Sequence, residues 1–281
     1  MNRIDALFQR LRLEGRSALM PFITAGDPSL AATGQLIAAI AASGADLIEV
    51  GIPYSDPIAD GPVIAASYHR ALVQGFKLQD FFAQIRAIRA TPDSPVARTP
   101  LIGMISYAIV HRWGVDAFLA AAQAAGLDGL IVPDLPLEES RHLADRATGH
   151  QLALIQLITP TTPPERALAI IASTTGFIYY VSVAGVTGER RSLPPDMVAR
   201  VAWLRSQTDL PICIGFGIGS AEQVRELAGK ADGLIVGSAI VRRLATAGER
   251  PTAAVVNEVG MFVAEMAAGL RHPEATRLSH S

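Results

Sequence analysis

Eight short apolar runs, each followed by an Ala- and Leu-rich segment, set the strongest constraint on how this chain can fold. The runs cover residues 18–24, 46–52, 100–106, 129–134, 151–157, 176–182, 210–216 and 232–236. Between them lie residues 30–42, 115–125, 137–146, 164–172, 196–207 and 221–228, most opening with a polar residue or a proline that can cap or start a helix. A strand buried on both faces reads as a continuous apolar run, so strand–helix alternation of this kind predicts a parallel sheet. Eight such units in 281 residues favour an α/β fold closed into a (β/α)8 TIM barrel, with an open doubly wound sheet as the alternative. Apolar residues make up 50% of the chain and charged residues 18%, enough to fill the core of such a barrel.

No linker or low-complexity tract divides the chain, so residues 1–281 are expected to form one domain. Residues 1–10 are charged and amphipathic, with Ile4, Leu7, Phe8 and Leu11 at helical spacing, and predict an extra N-terminal docking helix rather than a signal peptide. Residues 251–269 read as a final helix, and residues 271–281 as a short, polar, frayed tail. No uncharged apolar run reaches the ~18 residues that mark a membrane span. Lys and Arg are scattered and the net charge is −2, which leaves no basic stripe for nucleic-acid phosphates. The one cysteine, Cys213, sits in an apolar run and reads as a small core hydrophobe, because a reactive thiol needs an accessible electropositive site. A chain with one cysteine has no intrachain disulfide, and the expectation is a soluble, cytoplasmic protein.

A barrel of this kind carries its active site at the carboxyl ends of the strands. In the second run, alternation puts Ile48, Val50 and Ile52 on one face and Leu47, Glu49 and Gly51 on the other. The branched face should pack on the outer helices, which turns Glu49 into the barrel. Burial would raise its pKa towards the range useful for moving protons. The competing reading is a structural Glu held by a buried Lys or Arg, but none of the eight strands offers one. The loop that follows, residues 53–62, contains three prolines. Asp56, before Pro57, reads as a turn former. Asp60, before Gly61-Pro62, reads on spacing alone as a helix N-cap. Its short reach from Glu49 opens another role, since two acids in different environments can divide proton transfer and charge stabilisation.

Glycine-rich segments follow the last three strands: residues 184–188, 215–220 and 236–240. Glycines let backbone N–H groups approach an anion, and a helix start favours one, so together they predict a phosphate cradle. Residues 186–193 carry Glu189, Arg190 and Arg191 and have the composition either of a closing lid or of a plain exposed loop. The six histidines show no pair at metal spacing, and no metal site is predicted. Gly215-Phe216-Gly217-Ile218-Gly219 lacks the further glycine and the context of a dinucleotide fingerprint. Trp113 and Trp203 lie in helical segments and read as packing residues.

Several of these stretches carry a resemblance. Pro21-Phe22-Ile23-Thr24-Ala25-Gly26-Asp27-Pro28, the run from Ile48 through Asp60-Gly61-Pro62-Val63-Ile64, and Val132-Pro133-Asp134-Leu135-Pro136 together resemble the tryptophan synthase alpha family. Ser182 through Gly188, Gly215 through Gly219 and Gly237-Ser238 resemble it as well, so the likeness runs through nearly the whole chain in order. The resemblance implies lyase chemistry: retro-aldol cleavage of indole-3-glycerol phosphate to indole and glyceraldehyde 3-phosphate, with no cofactor in this subunit. It implies Glu49 as general acid/base and Asp60 as the partner of the indole N–H. It places Phe22, Ile105 and Tyr179 around the indole, and Gly188, Gly217, Gly237 and Ser238 around the phosphate. Thr187, on the lid, approaches Asp60 on closure. It also implies a beta subunit carrying pyridoxal phosphate in an α2β2 tetramer, met by residues 53–60 and 132–136. Tyr107 is followed by Ala108-Ile109-Val110 where many relatives have Tyr-x-Asn, and Val183 stands where some relatives have a larger polar residue. Three other readings compete: a stand-alone lyase, a silent docking subunit, and an unrelated phosphate-binding barrel such as a sugar-phosphate isomerase.

Overall fold

The computed structural model describes residues 2–57, 60–181, 195–215, 217–247 and 250–271. Eight parallel strands close into a barrel in strict chain order: β1 Ala18–Thr24, β2 Ile48–Gly51, β3 Leu101–Met104, β4 Gly129–Ile131, β5 Ala153–Ile158, β6 Ile178–Val181, β7 Ile212–Gly215 and β8 Gly233–Val236. The open-sheet alternative is thereby excluded, because β1 pairs with β8 as well as with β2. Every strand lies within its apolar run except β5, which runs one residue past it, and most stop short of the run's end, where the chain leaves the ladder to build loops.

Helices wrap the barrel. Three of them, α3 Pro62–Val73, α4 Leu78–Arg89 and α5 Tyr107–Trp113, follow β2 and β3. The rest of the shell is α2 Leu30–Ala42, α6 Val115–Ala125, α7 Leu137–Gly149, α8 Pro164–Ile171, α9 Pro195–Gln207, α10 Ala221–Leu227, α11 Ser238–Leu244 and α12 Thr252–Arg271. Among the described residues α12 alone is long and apolar enough to cross a bilayer. Half of that stretch is buried, and the helix packs on α2, α10 and α11.

Two cores result from strand alternation. Ile48, Val50 and Ile52 join the shell between strands and helices, while Leu47, Phe22, Ile102, Met104 and Cys213 fill the barrel interior. The N-terminal segment folds as α1 Arg3–Glu14, capped by Asn2, and plugs the bottom of that interior with Ile4, Leu7, Phe8 and Leu11. Gly129 and Gly176 leave room for the plug: a Cβ on Gly129 would come within 3.0 Å of Ile4.

The same end is tied by four like clamps. The residue shortly before each even strand takes the backbone N–H of the preceding odd strand on its side chain. Leu19 N–H donates to Asp46 (2.9 Å), Leu101 N–H to Asp128 (2.9 Å), Leu154 N–H to Thr175 Oγ1 (2.7 Å) and Ile212 N–H to Asp232 (2.9 Å). In return, the backbone N–H of each clamp residue donates to the carbonyl of its partner. Arginines neutralise the acids: Arg16 pairs with Asp46, Arg3 and Arg89 with Asp128, and Arg205 with Asp232. This end of the barrel is built for rigidity, which leaves the opposite rim for chemistry.

Candidate active site

The carboxyl end of β2 brings the first predicted residue into place. Glu49 is 1% exposed, and neither carboxyl oxygen has a hydrogen-bond partner among the described residues. Its strand neighbours are Phe22 on β1 and Ile102 on β3, both in the interior core, so the side chain points inward as alternation requires. Among the described residues no Lys or Arg serves it. Burial, then the nearby Asp60 carboxylate, push the Glu49 pKa up to about 8.

Asp60 lies where the loop from β2 turns into α3. It is not the N-cap: that position is Gly61, with no side-chain cap, and the helix starts on Pro62. Proline at the first helical position has no N–H to satisfy, which frees the Asp60 carboxylate from capping. Instead it accepts a hydrogen bond from the Tyr54 hydroxyl at 3.3 Å. Burial raises its pKa to about 6, with the Tyr54 hydrogen bond opposing the rise. The two acids therefore differ near neutral pH. Glu49 holds its proton and Asp60 is an anion, the separation of roles expected of an acid pair in unequal surroundings. Asp56 is exposed and accepts from the Ser55 hydroxyl at 2.9 Å, while the residues its turn would lead into, 58 and 59, lie outside the described residues.

Tyr179 on β6 packs against the interior core, and both Glu49 and Asp60 help to push its pKa upward, after burial. Glycine makes room for it: a Cβ on Gly215 would lie 2.9 Å from the Tyr179 hydroxyl. Phe22, 3% exposed, occupies the matching space beside Gly51 and Gly237. Ile105 is placed differently. It follows β3, is fully buried, and packs in the strand–helix shell, because the inward positions of that strand are Ile102 and Met104. Sequence reasoning missed Tyr68. This α3 residue is fully buried in the interior core, its hydroxyl has no partner among the described residues, and a Cβ on Gly51 would come within 2.6 Å of it. The available signal was Gly51 itself, an inward-facing glycine that some large side chain had to fill.

Of the predicted phosphate residues, Gly217 follows β7 at φ +83°, a conformation L side chains rarely adopt, and a Cβ there would meet open space. Gly237 precedes α11 without a side-chain cap, and Ser238 is the first residue of that helix. The first N–H groups of a helix have no intrahelical acceptor, so this end can receive an anion. Not all of the β7 loop is available, because Gly219 N–H and Ser220 N–H both donate to Gln223 in a capping box. Thr187, Gly188 and the lid at 186–193 lie outside the described residues, as does the tail from residue 272. Among the described residues, no group of His, Cys, Asp and Glu side chains could hold a metal ion.

A closed (β/α)8 barrel with a buried, unpaired acid and a second carboxylate on its carboxyl rim defines a barrel enzyme built for proton transfer. A profile of the tryptophan synthase alpha chain family matches residues 8–271. The chain belongs to this family of lyases. It is 49% identical over 269 residues to the tryptophan synthase alpha chain of Rhodopirellula baltica, covering 93% of this chain and 96% of that one. It is 46% identical over 259 residues to that of a Picosynechococcus species, covering 92% and 96%. Among solved structures it superposes on tryptophan synthase subunit alpha from Legionella pneumophila with a TM-score of 0.86, at 35% identity over 96% of this chain and 99% of that one. It also superposes on a chain of tryptophan synthase from Mycobacterium tuberculosis with a TM-score of 0.85, at 35% identity and the same two coverages.

Proposed function

We propose that this chain, as the alpha subunit of a tryptophan synthase, cleaves indole-3-glycerol phosphate to indole and glyceraldehyde 3-phosphate by a retro-aldol reaction. One observation carries the reading: Glu49 is a buried, inward-facing acid with no hydrogen-bond partner among the described residues, its pKa raised to about 8, and Asp60, at about 6, is close enough to perturb it. The Glu49 carboxyl gives its proton to C3 of the indole ring, which leaves positive charge centred on the ring nitrogen. Asp60 accepts the indole N–H and stabilises that charge, an electrostatic contribution made where charge develops. The resulting Glu49 carboxylate takes the proton of the hydroxyl on the adjacent side-chain carbon. The carbon–carbon electrons return to the ring as the new carbonyl forms, and Glu49 ends protonated as it began.

Phe22 and Tyr179 flank the ring with Met104 inward on β3, and Ile105, just past that strand, completes the pocket wall by the family pattern. Gly217, Gly237 and Ser238 receive the phosphate, completed by Gly188, and Thr187 closes over Asp60. A beta subunit carrying pyridoxal phosphate receives the indole, in an α2β2 tetramer, against residues 53–60 and 132–136. The likeness to solved tryptophan synthases supports that partner. The reading places the enzyme in the cytoplasm as a single domain.

The test is indole release by the purified chain, alone and with a tryptophan synthase beta subunit added. Glu49→Gln should lose at least about a thousandfold in kcat, since both proton transfers depend on it, and keep its affinity for indole-propanol phosphate. Full turnover in that variant would remove Glu49 from the chemistry. Failure of wild-type chain to bind indole-propanol phosphate would favour an unrelated phosphate-binding barrel.

A further inference from the structure

Asp60 sits in a loop, yet its carboxylate needs a fixed direction to meet one N–H of a flat ring. The fold supplies that direction from outside the loop. Tyr54 donates its hydroxyl to Asp60 Oδ2 at 3.3 Å, the one side-chain hydrogen bond on this carboxylate among the described residues. The Tyr54 ring in turn stands edge-on to the Tyr68 ring, with centroids 5.4 Å apart and planes at 60°. Tyr68 cannot shift easily, because it is fully buried and its helix is bolted to the end of β1 on both sides of it. The Ser67 and Thr24 hydroxyls meet at 2.6 Å, and Arg70 grips Asp27 through two hydrogen bonds of 2.9 and 2.6 Å. A chain of contacts thus runs from the barrel frame through α3, Tyr68 and Tyr54 to Asp60.

We infer that Tyr54 is a positioning residue for the lyase reaction: its hydroxyl, aimed by the Tyr68 ring, sets both the direction and the ionisation of Asp60. The inference rests on the reading of Asp60 as the anion facing the indole N–H. The groups around Asp60 are Glu49 from β2, Tyr54 from its own loop, Tyr68 from α3 and Tyr179 from β6, with Asp134 facing Tyr54 from beyond β4. All are acids or phenols. Among the described residues no cation stands by to replace the Tyr54 hydroxyl, so its removal leaves burial unopposed and moves the Asp60 pKa upward from about 6.

Tyr54→Phe removes one oxygen and keeps the ring and its contact with Tyr68. Near pH 6.5 this variant should lose about fivefold in kcat with KM within about twofold, the pattern of an interaction that matters most in the transition state. The acid limb of its kcat profile should move to higher pH by roughly half a unit or more, so the defect shrinks as pH rises towards 8. A purely structural role would lower thermal stability and leave the limb in place. The second readout needs no turnover: 13C NMR of chain labelled at the aspartate carboxyl carbons, with Asp60 assigned by its loss in Asp60→Asn. An Asp60 resonance titrating at higher pH in Tyr54→Phe supports the inference, and coincident titration curves overturn it. Should wild-type chain release no indole, the functional reading fails, while the NMR titration still decides what Tyr54 does to Asp60.

Discussion

Glu49 holds a carboxyl group that is buried and that no donor meets among the described residues. Such a group destabilises the fold in its charged form, and the sign of the effect follows from the pKa. The folded value is about 8 against an ordinary 4.5, so the folded state binds the extra proton between those limits. The contribution of Glu49 to stability is then greatest below pH 4.5 and declines as pH rises towards 8. Glu49→Gln removes the decline. With each pKa unit corresponding to about 1.4 kcal/mol, the variant should be more stable than wild type by ~2 kcal/mol or more at pH 8 and nearly equal to it at pH 4.5. Urea unfolding of both chains across that range checks it, and parallel stability curves would show that Glu49 is not held neutral. The direction of Glu49 was legible from strand parity alone. The separation of the two acids was not, because it depends on how deeply a loop residue is buried, and no local pattern encodes that for Asp60. The same limit applies to Tyr54, a loop residue whose partner, six positions on, is fixed by the turn of the chain.

At the scale of elements, the site is made where β2 ends and α3 begins. Gly51 is the narrowest point: a Cβ there would sit 2.5 Å from Phe22 and 2.6 Å from the Tyr68 hydroxyl. Both neighbours are pinned, Phe22 by its strand and Tyr68 by its helix, so neither can yield cheaply. Gly51→Ala should therefore cost about 1–3 kcal/mol from overpacking, and kcat/KM for indole release should fall at least about tenfold as the walls of the ring pocket move. A Gly51→Ala chain with wild-type turnover and melting temperature would mean the pocket walls are free to part. The sequence marked the strands well, because strands buried on both faces leave unbroken apolar runs. It marked the helix starts less well. Asp60 reads as a cap and is not one, since Pro62 starts the helix unaided. The β7 loop reads as three glycines turned to an anion, while Gly219 in fact serves the α10 cap through Gln223. Which N–H groups a capping box occupies depends on side-chain geometry that spacing does not fix. Tyr68 was hidden for a related reason: helical spacing shows that a residue is buried, but not that it reaches past the shell into the barrel.

The whole molecule divides its two ends between different tasks. Alternation of eight strands and their helices told the barrel from the sequence, and with it the expectation that the active site lies at the carboxyl ends of the strands. The fourfold clamp at the bottom was invisible beforehand, because an Asp before a strand has no local signature until the neighbouring strand lies beside it. Asp128 is its most loaded member. It accepts the Leu101 N–H, pairs with Arg3 at 2.7 Å and Arg89 at 2.6 Å, and its backbone carbonyl receives the Asn2 amide at 2.7 Å. Arg89 is itself 10% exposed, so Asp128→Asn leaves a nearly buried guanidinium with backbone carbonyls as its acceptors. Removing one partner of such a pair should cost about 3 kcal/mol and loosen α1 from the barrel floor. Because the clamp lies at the far end from Glu49 and Asp60, kcat and KM for indole release at 25 °C should stay within about twofold of wild type where the variant remains folded. Urea unfolding and steady-state assays on the same preparation separate the two effects. A variant that melted like wild type but turned over slowly would reverse the assignment, since it would make the floor of the barrel part of the catalytic apparatus and not its support.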